Sequence, residues 1–136
     1  MPLKIALLPG DGIGPEIIAA TRKLLMALDD FTFSELLLGG ASLDVHGVAL
    51  TPEVLEECQA ADAVLMGSVG DYRNRPGLER PEIGIDGIRQ RLKIYANLRP
   101  FKPYSVLLDS SPLKRDGITG TLSRVLSLTA LIVENS

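Results

Sequence analysis

The sequence predicts an α/β fold with a mostly parallel sheet. Short apolar runs, typical of buried strands, alternate along the chain with segments in which apolar residues recur at helical spacing. The predicted strands are Leu3–Leu8, Phe31–Leu38 and Ala61–Met66, and glycine-containing loops follow the first and the third. Ligands of such sheets bind beyond the carboxyl ends of the strands, so these two loops are the first candidates for a binding site.

The first loop reads PGDGIGPE and joins the first strand to a helix. Its glycines stand at alternate positions, which lets the backbone approach a ligand closely, and Pro15 suits the first helical turn. The spacing is G-x-G-x-G and not the G-x-G-x-x-G of dinucleotide-binding folds, so a tight strand-to-helix turn explains the pattern equally well. The expected buried face of the helix comprises Ile17, Ile18, Thr21, Leu24, Leu25 and Leu28.

The middle of the chain contains one turn-rich crossing and one clear helix start. The crossing, Leu43–Leu50, contains the only histidine, His46, which we interpret as a surface residue because no other metal-binding side chains surround it. Thr51 followed by Pro52 is a good beginning for a helix. Cys58 within that helix is expected to be a small core residue.

The stretch with the clearest helical pattern of apolar and charged residues is Arg80–Pro100, RPEIGIDGIRQRLKIYANLRP. An apolar stripe at helical spacing is formed by Ile85, Ile88, Leu92 and Tyr95, and a neighbouring charged face by Glu82, Asp86, Arg89 and Lys93. Arg89 and Arg99 are two guanidinium groups that could each hold one carboxylate of a small diacid. Exposed arginines that are solvated or paired with nearby acids are the alternative interpretation.

Composition narrows the classes of function. The chain has 136 residues, a net charge of −3 and a single cysteine, which fits one domain in a reducing compartment, and we expect it to be cytoplasmic. The acidic balance argues against a nucleic-acid partner, and no apolar stretch has the length needed to cross a membrane. After Pro100 the pattern weakens, and the chain ends directly after the apolar run Leu128–Val133, as a shortened protein would.

Three motifs resemble one enzyme family. LLPGDGIGPE, ADAVLMGSVG, and RPE followed by LKIYANLRP are similar to the β-decarboxylating dehydrogenases, the isocitrate/isopropylmalate dehydrogenase family, in order and spacing from Leu3 to about Lys114. The GSVG and ANLRP forms look most like the isopropylmalate branch. The resemblance implies an isopropylmalate-dehydrogenase-like sheet with flanking helices, truncated here. It also implies oxidation and decarboxylation of a 2-hydroxy diacid with NAD and Mg or Mn, in leucine biosynthesis, by a homodimer.

The resemblance assigns roles to individual residues. Arg89 and Arg99 would bind the substrate carboxylates. The residues expected near the cofactor are Gly10, Gly12, Ile13, Gly14, Asp71 and Glu82. Asp86 departs from the family pattern, in which an apolar residue meets the isopropyl group, and it could instead form an ion pair with Arg89.

Other departures concern the far end of the chain. The family continues well past twice this length, so its catalytic tyrosine and lysine and its metal-binding aspartates have no counterpart, and no catalytic or metal-binding residue is assigned. Residues 1–136 would form a single partial domain, of which 101–136 begin the second family domain in diverged form. We therefore expect the isolated chain to be inactive.

The sequence is also compatible with two other functions. One is a non-catalytic remnant or interaction module that keeps the sheet without the chemistry. The other is a small nucleotide-binding domain, which depends on the glycine loop and on Glu35 as the ribose ligand.

Overall fold

A computed structural model describes residues 1–70, 77 and 79–94 of the chain. In this part the chain forms an α/β structure with a parallel sheet of three strands in the order β2-β1-β3, which confirms the predicted fold class. The elements in chain order are β1 (Leu3–Gly10), α1 (Gly14–Leu28), β2 (Phe31–Glu35), α2 (Gly40–His46), α3 (Pro52–Ala60), β3 (Ala63–Ser68) and α4 (Ile83–Arg91).

Strand β1 is the centre of the sheet. Ile5 pairs with Phe33 of β2 on one side and with Ala63 of β3 on the other. A central parallel strand is covered on both faces, and this explains why β1 is apolar at consecutive positions instead of alternating with polar residues.

Helices cover both faces of the sheet. On one face, Ile5 and Leu7 of β1 form a buried cluster with Ile18 of α1. On the other face, Ala6 and Leu8 pack in a larger cluster with residues of α3, β3 and α4. Its further buried members are Leu38, Val54, Cys58, Ala61, Val64, Ile88 and Leu92.

The predicted buried face of α1 is too wide. Ile18 is 3% exposed, but Leu24 and Leu28 are 60% and 69% exposed. Only the stripe that runs from Gly14 through Ile18 towards Leu25 meets the sheet. A helix contacts a sheet along a narrow line, so the adjacent part of its apolar arc stays in solvent.

The bounds of all three strands differ from the sequence prediction, and β1 continues past Leu8 to Gly10. Strand β2 ends at Glu35 and not at Leu38. The N–H of Leu36 still donates to the Leu7 carbonyl at 2.9 Å, and Leu38 is fully buried in the core. The predicted third strand is shifted, since β3 begins at Ala63 and not at Ala61.

The expected turn-rich crossing contains a helix instead, α2. Gly39 before it and Gly47 after it have positive φ angles of 69° and 76° and fix its two ends. His46 lies in its last turn and is exposed, as predicted for a surface residue.

Helix α3 begins as predicted. The Thr51 hydroxyl accepts the backbone N–H of Val54 at 3.5 Å, and Pro52 occupies the first turn. Cys58 is fully buried, and burial, with a smaller contribution from the Glu57 charge, raises the pKa of its thiol to about 11. None of the helices in residues 1–70 and 79–94 combines the length and apolar character that crossing a bilayer requires.

The width of the α1 contact predicts unequal effects on stability. Ile18→Ala should lower the free energy of unfolding by about 2–4 kcal/mol, because it leaves a cavity beneath the helix. Leu24→Ala, a similar truncation one and a half turns further on, should cost about 0.5 kcal/mol or less because Leu24 is already in solvent. Urea unfolding measures both, and equal losses would contradict the contact described above.

Burial of Cys58 predicts a protected thiol. Alkylation by iodoacetamide at pH 8 should be much slower in the folded chain than in urea, because the thiolate is both rare and inaccessible. The test is mass spectrometry of the labelled fraction over time. Equal rates in buffer and in urea would show that α3 does not cover the thiol.

Candidate functional site

The two loops at the carboxyl ends of β1 and β3 lie side by side, as the position of ligand sites in parallel sheets suggests. The N–H of Asp11 donates to the Ser68 carbonyl at 2.7 Å, and the Ser68 hydroxyl donates to the Asp11 carbonyl at 2.8 Å. The glycine loop and the Gly67–Gly70 segment therefore form one continuous edge.

The carboxylate of Asp11 connects this edge to α2. It is only 7% exposed and accepts three backbone N–H groups: that of Gly40 at 2.9 Å, that of Ala41 at 2.9 Å and that of Gly70 at 3.0 Å. Each bond is strengthened by the negative charge. The sequence analysis assigned no role to Asp11, although an acid between two glycines directly after a buried strand was the available signal.

The glycines of the first loop serve two different purposes. A Cβ atom at Gly10 would overlap the backbone oxygen of Ser68, and one at Gly14 would overlap that of Pro9, so these two positions are required for packing. Gly12 has a φ of +57° and open space around it. Ile13 beside it is 60% exposed. The loop thus presents its backbone to solvent at Gly12 and Ile13.

Helix α4 carries the predicted apolar stripe. Ile88 is fully buried, Leu92 is 5% exposed and Ile85 is half-buried, while Tyr95 lies outside the described residues. Gly84 lets the helix approach the core closely, since a Cβ there would stand 2.9 Å from the carbonyl oxygen of Ala49.

The neighbouring face of α4 is polar and faces solvent. Glu82 and Asp86 are exposed, and Arg89 is half-buried. The predicted ion pair is present, with 3.7 Å between Nη1 of Arg89 and Oδ1 of Asp86. At the start of this face, Oε1 of Glu82 lies 3.6 Å from the position that a Cβ at Gly70 would take. The polar face therefore begins at the β3 loop.

The structure thus brings together some of the predicted site residues. Glu82 lies against the β3 loop, which Asp11 joins to the glycine loop. Arg89 follows on the same helical face, about 10 Å further along the axis by the rise of an α-helix. Asp71 and Arg99 lie outside the described residues, so their positions stay predictions.

A groove of about 490 Å³ lies elsewhere, between α3 and α4. Ile83, Gly87 and Arg91 line it from α4, on the side of the helix away from Arg89. Among the residues that the structure describes, the predicted substrate and cofactor residues do not line it. Within the described ranges, no three His, Cys, Asp or Glu side chains are grouped so that they could hold a metal ion.

The fold and this edge define a class: a parallel α/β protein with a candidate ligand edge made of a glycine loop, a second loop and a charged helix. The sequence matches the isocitrate/isopropylmalate dehydrogenase family over residues 4–125. The chain belongs to that family.

Individual relatives agree with this assignment. The chain is 49% identical to the 3-isopropylmalate dehydrogenase of Anaeromyxobacter dehalogenans over 127 residues, which are 88% of this chain and 36% of the relative. It is 47% identical to the 3-isopropylmalate dehydrogenase of Pichia angusta over 127 residues, 89% of this chain and 35% of the relative. The chain therefore spans about a third of the length of these curated relatives.

Solved structures place the fold in the same group. A β-decarboxylating dehydrogenase from Thermococcus kodakarensis aligns with a TM-score of 0.63 and 33% identity over 74% of this chain and 30% of that one. An isocitrate dehydrogenase from Methylococcus capsulatus aligns with a TM-score of 0.59 and 31% identity over 74% of this chain and 28% of that one.

The position of Asp11 predicts a large effect of its removal. Asp11→Ala should lower the free energy of unfolding by about 3 kcal/mol or more, because three N–H groups at the sheet edge lose their charged acceptor. Asp30→Ala is the matched control, since Asp30 is exposed and lies before β2 at the other end of the sheet. Urea unfolding of both variants gives the comparison, and similar losses would contradict the role of Asp11.

Proposed function

We propose that this chain supplies part of the active site of an NAD-dependent dehydrogenase that oxidises and decarboxylates a 2-hydroxy diacid. The relatives' names make 3-isopropylmalate the first candidate, in leucine biosynthesis. The observation that carries the proposal is the position of Arg89 on the polar face that starts at the β3 loop, in a chain of this family.

Arg89 is suited to binding a substrate carboxylate. Arg89 belongs to a helix that is anchored in the core through the neighbouring Ile88, which is fully buried, while the Arg89 side chain itself stays partly accessible. A guanidinium can donate two parallel N–H bonds to a carboxylate. We propose Arg99 as the second carboxylate ligand on the basis of the family motif.

The glycine loop is suited to a dinucleotide. The backbone at Gly12 borders open space, and the loop leads into the amino-terminal end of α1, where the helix dipole favours phosphate. We propose that the cofactor lies against Gly10, Gly12, Ile13 and Gly14, with Glu82 and Asp71 closer to the nicotinamide. When bound, NAD would supply the hydride acceptor.

Oxidation and decarboxylation also need a base and a cation, which neither Arg89 nor the glycine loop supplies. Oxidation requires a base for the hydroxyl proton, and decarboxylation requires a cation that polarises the keto oxygen. By the family resemblance, the tyrosine, the lysine and the aspartates that hold Mg or Mn belong to the sequence that corresponds to the other two-thirds of the relatives. The isolated chain would then bind ligands without turnover. A homodimer in the cytoplasm is part of the same proposal.

A second candidate function is an interaction module without catalysis. The apolar stripe of Ile17, Leu24 and Leu28 on α1 is exposed, at 46%, 60% and 69%. Such a continuous stripe favours contact with another polypeptide. A nucleotide-binding domain that depends on Glu35 has less support, because Glu35 is paired with Arg22 at 3.8 Å.

A chimaera tests the proposed enzyme. Residues 1–94 of this chain replace the corresponding part of the Anaeromyxobacter dehalogenans relative, and NADH formation is followed with 3-isopropylmalate and other 2-hydroxy diacids in the presence of Mg²⁺. We expect turnover with at least one diacid, and a loss of a hundredfold or more in kcat/KM on Arg89→Ala, as about 3 kcal/mol of lost charged hydrogen bonding implies. A folded chimaera without turnover on any diacid would favour the interaction module.

The cofactor position has its own test. Asparagine tolerates a positive φ, so Gly12→Asn should preserve the loop backbone while its side chain fills the open space. If the dinucleotide lies there, this variant should bind NAD at least tenfold more weakly. Gly47→Asn is the matched control, because Gly47 also has a positive φ and open space but lies at the end of α2. Calorimetric titration with NAD compares the two. Equal affinities would exclude the glycine loop as the binding position.

A further inference from the structure

Helix α1 carries an exposed apolar stripe along one side. Its members recur at intervals of three or four residues and so share one face of the helix: Ile17, Ala20, Leu24 and Leu28. Ile17, Leu24 and Leu28 are 46%, 60% and 69% exposed, and Ala20 is exposed as well. An apolar surface that extends over about three turns of a helix is typical of a contact with another polypeptide.

The stripe lies on the side of α1 that is turned away from β2. Helix α1 packs over β1 and β3. Its Arg22 points towards β2, since the guanidinium carbon lies 5.3 Å from the ring centre of Phe33. Leu24 follows two residues later, about 200° further around the helix, so it lies on the opposite side of α1 from β2. The stripe therefore faces outward beyond β3.

Strand β3 presents an edge next to this stripe. In the part of the chain that the structure describes, β3 pairs with β1 alone. Its sequence, AVLMGS, contains neither a charged residue nor a proline, which are residues that protect edge strands from pairing. Leu65 and Met66 in its middle are half-buried. The stripe and the edge together form one apolar surface, the α1–β3 surface.

We propose that two copies of this chain associate through the α1–β3 surface about a two-fold axis. The two β3 strands lie antiparallel in the middle of a common sheet, and the two α1 helices pack side by side, also antiparallel, on one face of it. Helices α1 and α4 cover opposite faces of the sheet. The inference therefore goes beyond the proposed function and does not depend on it.

The spacing of the elements fits this arrangement. Adjacent strands lie about 4.8 Å apart, and α1 covers both β1 and β3, so the helices of the two copies come about 10 Å apart, two strand spacings. This separation is the usual one for packed helices. If α1 instead lay over β1 and β2, the two helices would be too far apart to touch.

A single axis passes through the middle of both elements. Gly14 lies beside Ser68, since a Cβ at Gly14 would stand 3.0 Å from the Ser68 backbone nitrogen. Helix α1 runs back against the strand direction, because it connects two parallel strands. From the level of Gly14, Ala20 lies about 9 Å along the helix, and Leu65 lies about 10 Å from Ser68 along the strand. Both midpoints are thus at the same height, and the small side chain of Ala20 lets the helices approach closely.

The charges beside the stripe favour a second copy as the occupant. Glu16 and Lys23 are exposed and lie on the flank away from the sheet, about two turns apart. Within residues 1–70 and 79–94, neither forms an ion pair. In an antiparallel pair centred on Ala20, Glu16 of one copy faces Lys23 of the other, and the reverse contact forms at the same time. The surface is therefore complementary to itself, as a two-fold contact requires.

Sedimentation velocity of the full 136-residue chain over a range of concentrations tests the proposal. Leu24→Glu should raise the dissociation constant of the dimer by about tenfold or more, because a charge enters the stripe of both copies. Met26→Glu is the matched control, since Met26 is 63% exposed on the same helix but lines the groove on the β2 side. It should leave the constant unchanged. Both positions are exposed in the single chain, so both variants should fold, and circular dichroism verifies this.

Further variants test the antiparallel geometry. Glu16→Lys and Lys23→Glu should each weaken association, because like charges then face each other, and the double variant should restore it. Ala20→Cys places a thiol at the axis and should give a disulfide-linked dimer under mild oxidation. Ala19→Cys, which is exposed on another face of the helix, should not. Cys58 is fully buried and does not take part.

Two results would overturn the inference. One is a wild-type chain that stays monomeric at every concentration, which would leave the stripe to a different polypeptide, such as one equivalent to the part of the relatives that this chain does not span. The other is a dimer that survives Leu24→Glu and gives no cross-link through Ala20→Cys, because it uses another surface. Neither result affects the tests of Arg89 and Gly12, and failure of those tests leaves the dimer unaffected.

Discussion

The edge formed by the glycine loop and the loop after β3 depends on the hydrogen bonds of the buried Asp11 carboxylate. It accepts N–H groups from Gly40 and Ala41 at the start of α2 and from Gly70 after β3, and its own backbone is bonded to Ser68. A buried carboxylate is costly unless its charge is compensated, and here backbone N–H dipoles provide three hydrogen bonds to it. These bonds hold the glycine loop, the start of α2 and the loop after β3, which are distant in sequence, at one place.

The position of α4 follows from the same edge by a short series of contacts. Gly39, next to the Asp11 carboxylate, donates its N–H to the Ala49 carbonyl at 2.9 Å, and the N–H of Ala49 donates to the carboxylate of Glu79 just before α4. Gly84 then brings the helix against the same Ala49 carbonyl. The arginine on the outer face of α4 is thus oriented by backbone contacts on its inner face, and its own side chain contributes little to the fold.

Local patterns predicted those features that local interactions determine. Four predicted features depend on residues close together in sequence. The structure shows the buried run of β1, the Thr51 cap, the described part of the α4 stripe, and the pairing of Asp86 with Arg89. Helix α2 was missed because its limits are set by two glycines with positive φ, which the sequence alone presents as loop residues. The role of Asp11 depends on partners 29 to 59 residues away, and the width of the α1 contact depends on the strands beneath the helix. Spacing within a segment carries no information on such partners.

The residues that anchor this edge of the sheet are different from the residues that carry charge on the outer face of α4. Asp11 and the glycines of the first loop are fixed by packing, so substitutions there alter the sheet edge itself. Glu82 and Asp86 are exposed and Arg89 is half-buried, on a helix that is anchored by other residues, so exchanging either acid costs little in stability. Asp86 is exposed and lies 3.7 Å from Arg89, so its charge can be changed without disturbing the residues that anchor the helix.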